Sequence, residues 1–310
     1  MPDLTNLKTS CHDTKNIASH DKMRKPEWLK IKKGEMRDII EVEKMLLANQ
    51  LHTVCREANC PNRMECYGNK TATFLIMGPN CTRGCRFCNV TKEAPLCLDS
   101  EEPARVAQAV VELGLKHAVV TSVTRDDLAD GGASHFVDVI RAIREASPGT
   151  SVEVLIPDLR GNWDALEVIM NERPDILNHN VETIERLYPE IRPEAVYTRS
   201  LELLKRAKAM QPDILTKSGL MLGLGETEEE VLKLLSDLRA HEVDLVTIGQ
   251  YLPPSAEHYP VKEYVHPEVF ELLSKKGMAM GFQDVSSGPL VRSSYNAGKV
   301  YDQIQDQGRA

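Results

Sequence analysis

The chain has 310 residues, of which 42% are hydrophobic and 27% are charged, and its formal net charge is −8 at pH 7. This length and hydrophobic content are enough to bury the core of one large domain, and the acidic balance does not favour a general nucleic-acid binder, which needs a basic surface. No apolar run approaches the roughly 20 residues that cross a bilayer, and the first residues lack the apolar region of a secretory signal, so we expect a cytoplasmic protein with no membrane partner.

Two segments precede the first predicted strand. Residues 1–25 are polar and lack periodicity, which predicts a flexible tail. Apolar residues recur at three- and four-residue spacing between Glu27 and Leu51, and this pattern predicts an amphipathic helix. Residues 52–70 are rich in Cys, Asn and Pro and predict irregular structure. We interpret 26–70 as an N-terminal extension that carries a cysteine motif.

Six of the eight cysteines lie between positions 55 and 88, in two groups of three. A chain without an export signal rarely uses cysteines for disulfides, so this clustering indicates metal binding or catalysis. The first group, Cys55, Cys60 and Cys66, predicts a site for an iron–sulfur cluster, because thiolate is the usual ligand of such clusters. A structural zinc site with His52 as the fourth ligand is the alternative.

From residue 71 onwards, short apolar runs alternate with amphipathic stretches. The predicted strands are Thr71–Met77, His117–Ser122, Ser151–Ile156, Ile176–Asn180, Ile214–Leu222 and Asp244–Tyr251. The predicted helices lie near 102–114, 133–147, 162–171, 197–210, 226–241 and 267–280. Such alternation implies parallel strands joined by crossover connections. We therefore predict an α/β fold, a partial (βα)6 barrel or twisted open sheet over 71–282, followed by a C-terminal extension at 283–310.

The second cysteine group, Cys81-Thr-Arg-Gly-Cys85-Arg-Phe-Cys88, directly follows the first predicted strand. Three thiolates in one tight loop can hold three irons of a [4Fe–4S] cluster. The fourth iron is then open, as in metal sites that react rather than only stabilise a fold. A zinc site is the alternative, but the residues immediately after Cys88 include no fourth Cys or His.

Polar residues occur inside or at the end of several predicted strands. In parallel α/β folds the chemistry lies at the carboxyl ends of the strands, and four strands with this feature indicate a polar cavity rather than chance solvent exposure. The residues concerned are Ser122, Thr124, Glu153, Asn178, Asn180 and Lys217.

The cysteine loop at the end of the first strand resembles the radical S-adenosylmethionine (SAM) family. Both cysteine motifs together, in this order, resemble the lipoyl synthases. The resemblance extends to Glu57-Ala58, Cys60-Pro61-Asn62, Glu65-Cys66 and Thr71-Ala72-Thr73-Phe74, and to the C-terminal Gly288-Pro-Leu-Val-Arg-Ser-Ser-Tyr295. It covers roughly residues 27–300.

This resemblance implies two [4Fe–4S] clusters and SAM as cofactors. Cys81, Cys85 and Cys88 would hold the cluster that cleaves SAM, and Cys55, Cys60 and Cys66 would hold an auxiliary cluster that is consumed as the sulfur source. The auxiliary cluster's fourth ligand would be Ser294, with Ser293 as the alternative. Cys11 and Cys97 match no ligand of the family, and the nine histidines show no metal-ligand spacing.

The resemblance also implies a reaction and its partners. Two sulfur atoms would enter at C6 and C8 of an octanoyl chain on a lysine of a lipoyl carrier domain or a glycine-cleavage H-like protein. A low-potential ferredoxin or flavodoxin would donate electrons. Two alternatives stay open: another radical SAM sulfur-transfer enzyme, such as a methylthiotransferase, and a zinc-binding structural protein.

Further assignments concern the SAM site. Ser122 and Thr124 are expected to contact SAM, and the polar residues of two later strands are expected to line the same cavity. These are Asn178, Asn180, Glu182 and Lys217. Gly219–Glu226 resembles a glycine region near the adenine of radical enzymes, or is a plain turn. Asp130-Gly131-Gly132 is open to the same two interpretations, and Arg192 is a surface charge or a substrate contact.

Overall fold

A computed structural model of the protein describes residues 24–30 and 36–308. Residues 1–23 of the predicted tail, and with them Cys11, lie outside the described residues. No helix in the described part of the chain combines the length and apolar character needed to span a membrane.

The strands and helices are numbered here in chain order. The strands are β1 (His52–Thr53), β2 (Thr73–Ile76), β3 (His117–Ser122), β4 (Ser151–Leu155), β5 (Ile176–Asn178), β6 (Leu215–Leu222), β7 (Leu245–Gln250) and β8 (Asp284–Ser287). The α-helices are α1 (Met36–Ala48), α2 (Val54–Glu57), α3 (Arg63–Gly68), α4 (Glu102–Leu113), α5 (Ala133–Ala146), α6 (Trp163–Asn171), α7 (Tyr188–Ile191), α8 (Tyr197–Met210), α9 (Glu228–Ala240), α10 (Pro267–Ala279) and α11 (Ala297–Gly308).

One eight-stranded sheet organises the fold, with its strands in the order β1 to β8. β1 pairs antiparallel to β2, and every later neighbour pairs parallel. The six predicted strands are confirmed as β2 to β7, with ends that agree to within two residues. Because strand order follows chain order, the carboxyl ends of β2 to β7 lie along one edge of the sheet.

The strands could be recognised in the sequence as apolar runs because they are buried in the core. β2 and β7 are buried along their whole length, as expected for parallel strands that are covered on both faces. The helices start and stop at ordinary signals. At the start of α9, the Thr227 hydroxyl accepts a hydrogen bond from the Glu230 backbone N–H, and the Glu230 carboxylate accepts one in return. Gly114, with φ of 63°, ends α4.

The prediction of irregular structure for residues 52–70 was wrong. They contain β1 and the short helices α2 and α3, and the Thr53 hydroxyl begins α2 by accepting a hydrogen bond from the Arg56 N–H. The same hydroxyl lies 2.7 Å from the Tyr67 hydroxyl, whose side chain is buried. Helices this short are set by caps and side-chain contacts, so they leave no periodic pattern in the sequence.

β8 was also absent from the predicted strands. Its sequence, Asp-Val-Ser-Ser, has a single apolar residue, so only its pairing with β7 identifies it. The division of the chain at 26–70, 71–282 and 283–310 stays a prediction.

Candidate functional site

A cavity of about 1160 Å³ is lined by all six cysteines of the two motifs. The two cysteine groups lie at opposite ends of β2. Near the start of that strand, the Cys66 carbonyl accepts hydrogen bonds from the Thr71 N–H and from the Thr71 hydroxyl, each at 2.9 Å. Cys81 follows the other end of β2, where its N–H donates to the Thr91 carbonyl at 2.8 Å. The space between the two groups therefore runs along the inner side of the sheet.

The first group consists of thiols that lie close enough to affect one another. Burial, together with the neighbouring Cys55 and Cys60, raises the pKa of the Cys66 thiol to about 12. Burial likewise raises the pKa of the Cys55 thiol to about 11. Three thiolates at this place would repel one another, so a positively charged centre is needed to hold them in the ionised form that binds metal.

The second group shows the same chemistry in a tighter loop. Burial raises the pKa of the Cys88 thiol to about 12, with further contributions from Cys85 and Cys81. The backbone N–H of Thr124 points at the Cys81 sulfur, 3.3 Å away. N–H donors to sulfur stabilise ligating thiolates and tune the potential of clusters.

The arrangement of the thiols in both groups bears on which metal centre they can hold. Among the described residues, no three His, Cys, Asp or Glu side chains are placed to hold a single metal ion. A [4Fe–4S] cluster binds each thiolate to a different iron. The donor set, three free thiols in each group, fits such a cluster. His52, considered as a zinc ligand, lies 3.2 Å from the Glu57 carboxylate instead.

An arginine that was not predicted from the sequence holds the loop of the second cysteine group in position. Arg83 is 6% exposed, and its guanidinium donates to both carboxylate oxygens of Asp126 at 2.7 and 2.9 Å. It also donates to Asp158 at 2.6 Å. Burial raises the pKa of Asp158, but the Arg83 contact outweighs it and holds the value at about 2. Asp126 and Asp158 follow β3 and β4, so Arg83 positions the cysteine loop against two neighbouring strand ends.

The C-terminal segment reaches the first cysteine group through several hydrogen bonds. The Asn62 side chain donates to the Leu290 carbonyl at 2.7 Å, and the Tyr295 hydroxyl donates to Glu65 at 2.9 Å. The two serines between these contacts point to different places. Ser294 accepts a hydrogen bond from the Thr73 hydroxyl at 2.7 Å, whereas Ser293 donates to the Asn180 side chain at 2.8 Å.

A polar group from β5 and the loop after it lines the cavity near the second cysteine group. The Asn180 amide donates to the Glu182 carboxylate at 3.0 Å. Glu182 has φ of 64°, a left-handed conformation that is uncommon for a residue with a side chain and occurs often at functional sites. Burial raises the pKa of Glu182 even though the nearby Arg192 lowers it.

Arg192 is not a surface charge, since it is 8% exposed. Its guanidinium donates to the Asn180 and Val181 carbonyls at 3.1 and 3.0 Å. Its Nε atom and the Ser122 hydroxyl both lack a partner within the described residues, although both are buried. Buried polar atoms are nearly always paired, and both residues line the cavity, so unused hydrogen-bonding capacity lies beside the cavity.

Asn178 and Lys217 are separated from these residues. Neither is among the described residues that line the cavity. The Lys217 ammonium donates to both oxygens of the Glu153 carboxylate at 3.0 and 3.1 Å. The Asn178 amide donates to the same carboxylate at 2.9 Å. The three side chains form a buried polar cluster that satisfies most of its own hydrogen bonds.

Two glycine-containing segments, Asp130-Gly131-Gly132 and Gly219–Glu226, have two interpretations, as plain turns or as parts of the site. Asp130 accepts hydrogen bonds from the Gly132 and Ser134 N–H groups at 2.9 and 2.8 Å, which is the turn interpretation. The Glu226 carboxylate accepts a hydrogen bond from the Gly223 N–H, which also fits a turn. Gly219, by contrast, lines the cavity. Exposed Cys97 is not among the lining residues.

The chain is similar in sequence to proteins of known family. Residues 75–238 match the Radical SAM superfamily. The lipoyl synthase of Alkaliphilus metalliredigens is 56% identical over 283 residues, which are 91% of this chain and 98% of that protein. The lipoyl synthase of Caldicellulosiruptor bescii is 55% identical, with 92% and 98% covered.

Solved structures agree on the fold. HydG, a maturase of the [FeFe]-hydrogenase, superposes with a TM-score of 0.53 at 15% identity, over 89% of this chain and 69% of HydG. Streptococcus suis SuiB bound to its precursor peptide superposes with a TM-score of 0.54 at 10% identity, over 69% of this chain and 48% of SuiB. At these identities the likeness shows the fold alone.

Proposed function

Because the chain belongs to the lipoyl synthase family of the Radical SAM superfamily, we propose that it inserts two sulfur atoms at C6 and C8 of an octanoyl group. The chain is a radical SAM sulfurtransferase of lipoyl synthesis, with a [4Fe–4S] cluster and SAM as cofactors. The octanoyl group is carried on a lysine of a lipoyl carrier domain or a glycine-cleavage H-like protein. A ferredoxin or flavodoxin of low potential supplies the electrons. Neither the methylthiotransferase nor the zinc-protein alternative is favoured by the relatives described above.

The observation that carries this proposal is that both thiol groups line one cavity. The chemistry requires a carbon chain to reach a radical source and a sulfur source in turn. A cavity along β2, with one cysteine group at each end, meets that requirement. Its volume of about 1160 Å³ exceeds what a small ligand needs, about 300–1,000 Å³. SAM and an alkyl chain can therefore be bound together.

We assign the SAM-cleaving cluster to Cys81, Cys85 and Cys88. When bound there, the reduced cluster and SAM supply a 5′-deoxyadenosyl radical that abstracts hydrogen from unactivated carbon. Arg83 keeps the loop in place through two carboxylates. The free Ser122 hydroxyl, with Thr124, Asn180 and Glu182, offers hydrogen-bonding groups to SAM, and Asn178 and Lys217 support the wall behind them.

We assign the sulfur source, an auxiliary [4Fe–4S] cluster that is consumed in the reaction, to Cys55, Cys60 and Cys66. Ser294 is the fourth ligand in this proposal. Ser294 accepts a hydrogen bond from Thr73, and Thr73 also hydrogen-bonds the Cys55 thiol. This link to the first cysteine group supports Ser294 over Ser293 as the ligand. Serine oxygen is a harder and poorer match to iron than thiolate, so it is a ligand that can leave when sulfide is transferred.

Two triple variants test this division of labour. Purified without oxygen and reconstituted, the wild-type chain is expected to hold about eight irons, four per cluster. With reductant, SAM and an octanoyl-lysine peptide, it is expected to add two sulfurs to the peptide and remove two hydrogens. C55A/C60A/C66A is expected to keep SAM cleavage but insert no sulfur. C81A/C85A/C88A is expected to lose SAM cleavage. Lipoyl product from the first variant, or 5′-deoxyadenosine from the second, would contradict the assignment.

A further inference from the structure

The cavity is basic although the chain is acidic. Its lining includes eight Lys or Arg residues and three Asp or Glu residues, whereas the whole chain has 38 and 46. Three of the basic residues, Arg83, Arg192 and Arg292, are part of the interior site. Arg63 is half-buried, and the remaining four are exposed lysines at the edge of the cavity: Lys25, Lys70, Lys116 and Lys299. We call these four the lysine rim.

Three members of the lysine rim come from separate segments that meet at one end of the sheet. Lys70 lies shortly before β2 and Lys116 directly before β3. Thr73 pairs with Val119 in the register of these parallel strands, so the two lysines lie at the same, amino-terminal end. Lys299 lies at the start of α11, where the neighbouring Gly298 packs on His117: a Cβ built on that glycine would be 3.0 Å from the Cβ of His117.

The rim is on the side of the first cysteine group, since Thr71 both follows Lys70 and hydrogen-bonds the Cys66 carbonyl. Within the described chain, the four ammonium groups have no hydrogen-bond or ion-pair partner. Some lysines elsewhere in the described chain form ion pairs, such as Lys208 with Asp244 at 2.9 Å, whereas the rim brings several unpaired lysines to one cavity. A group of unpaired like charges at a cavity mouth creates a positive potential that attracts a negative partner.

We propose that the lysine rim is the docking surface for an acidic face of the octanoylated carrier domain. This proposal rests on the proposed function. The octanoyl-lysine arm is uncharged once its amide is formed, so the arm alone offers the enzyme only an alkyl chain and one amide. Recognition of the carrier over other acylated proteins then needs contacts with the folded carrier. Complementary charge around the mouth supplies such contacts and speeds productive encounter.

The test compares a charge-reversal variant with a matched control. K116E/K299E changes two rim lysines, and Glu near the start of α11 is compatible with the helix dipole. K205E/K275E makes the same charge change at exposed lysines of α8 and α10, which are not among the cavity-lining residues. Each protein is assayed with two substrates, an acidic octanoylated carrier domain and a short uncharged octanoyl-lysine peptide.

The quantity compared is the apparent second-order rate constant of sulfur insertion for the carrier divided by that for the peptide, each measured in a single turnover because the auxiliary cluster is consumed. We expect this ratio to fall about tenfold in K116E/K299E at low salt, within the range for electrostatic steering, and to stay unchanged in K205E/K275E. In the wild type, rising salt is expected to lower the single-turnover rate constant for the carrier and not for the peptide. The salt experiment needs no variant, so it remains decisive if K116E/K299E folds poorly.

An unchanged ratio in K116E/K299E, together with a salt-independent single-turnover rate constant for the carrier, would overturn the docking proposal and leave the proposed function standing. Wild-type protein that inserts sulfur into neither substrate would instead overturn the proposed function. Binding of a single-stranded RNA that depends on Lys116 and Lys299, with no effect of either lysine on the carrier, would assign the rim to nucleic acid and also overturn the proposal.

Discussion

The Thr73 hydroxyl donates a 2.7 Å hydrogen bond to the Ser294 hydroxyl oxygen, across 221 positions of the chain. Thr73 is the first residue of β2, and its contact with the Cys55 thiol places it beside the first cysteine group. The adjacent Ser293 points instead to Asn180. The sequence left these two serines as alternatives, and the structure gives them different surroundings.

This difference predicts opposite results for two similar variants. S294A is expected to retain SAM cleavage but to lose sulfur insertion by about 100-fold, the larger effect expected when a metal site is disturbed. S293A removes a hydroxyl that bonds Asn180 and is expected to keep sulfur insertion within a few-fold. The measurement is lipoyl peptide formed per 5′-deoxyadenosine released, with iron counted in both proteins. The reverse ranking would make Ser293 the ligand.

A second prediction concerns the close packing of β7 against the C-terminal segment. A Cβ built on Gly249 would lie 2.1 Å from the Val291 carbonyl oxygen, so G249A must displace the backbone that leads to Ser294. We expect the free energy of unfolding to fall by about 1–3 kcal/mol, as for overpacking of a core, and sulfur insertion to fall more than SAM cleavage. Urea unfolding and product analysis measure both.

Gly149 provides the control for this prediction. A Cβ on Gly149 meets no atom within 4 Å. G149A is therefore expected to raise the free energy of unfolding by less than about 1 kcal/mol, because alanine restricts the unfolded chain. Equal effects of the two substitutions would show that Gly249 is not specially constrained.

The strands and the cysteine groups could be predicted from the sequence because each is a local pattern. β2 to β7 are apolar runs, and the ligand groups are spaced thiols. The contacts that assemble the site are not local. Arg83 meets two carboxylates that follow different strands, and the sequence contains no sign that Asp158 is its partner. Lys217 illustrates the same limit, because its place beside Glu153 depends on the register of neighbouring strands rather than on its own position in β6.

A third prediction concerns the unpaired Ser122 hydroxyl. S122A removes a buried group that has no partner within the described residues, so we expect the free energy of unfolding to stay the same or to rise. If the hydroxyl contacts SAM as proposed, the Kd for SAM is expected to rise about two- to tenfold, the effect of one lost hydrogen bond. Binding is measured by equilibrium dialysis with labelled SAM.

Thr150 is the matched control for Ser122. Its buried hydroxyl donates to the Leu115 carbonyl at 2.7 Å, and it is not among the residues that line the cavity. T150V is expected to lower the free energy of unfolding by about 1 kcal/mol, the contribution of a typical hydrogen bond, and to leave the Kd for SAM unchanged. A pattern in which both variants weaken SAM binding equally would indicate a general loss of structure.

A fourth prediction concerns the buried pair Lys217 and Glu153, which are 4% and 0% exposed. K217M leaves the Glu153 carboxylate without its cation and is expected to lower the free energy of unfolding by about 3–5 kcal/mol. K217M/E153L removes both charges and is expected to recover most of that loss, because an apolar pair has no buried charge to solvate. Urea unfolding of the two variants measures the difference. A double variant as unstable as K217M would contradict this account.

The same pair predicts how stability changes with pH. Burial raises the pKa of Glu153, but Lys217 and His117 outweigh it and lower the value to about 2, below its usual 4.5. Between these two values the unfolded chain binds the proton and the folded chain does not. The contribution of Glu153 to stability is therefore present above pH about 4.5 and is lost as the pH falls towards 2. The free energy of unfolding of cluster-free wild type, measured relative to K217M/E153L, is expected to decrease over this range. A constant difference would mean that the folded-state pKa of Glu153 is not lowered.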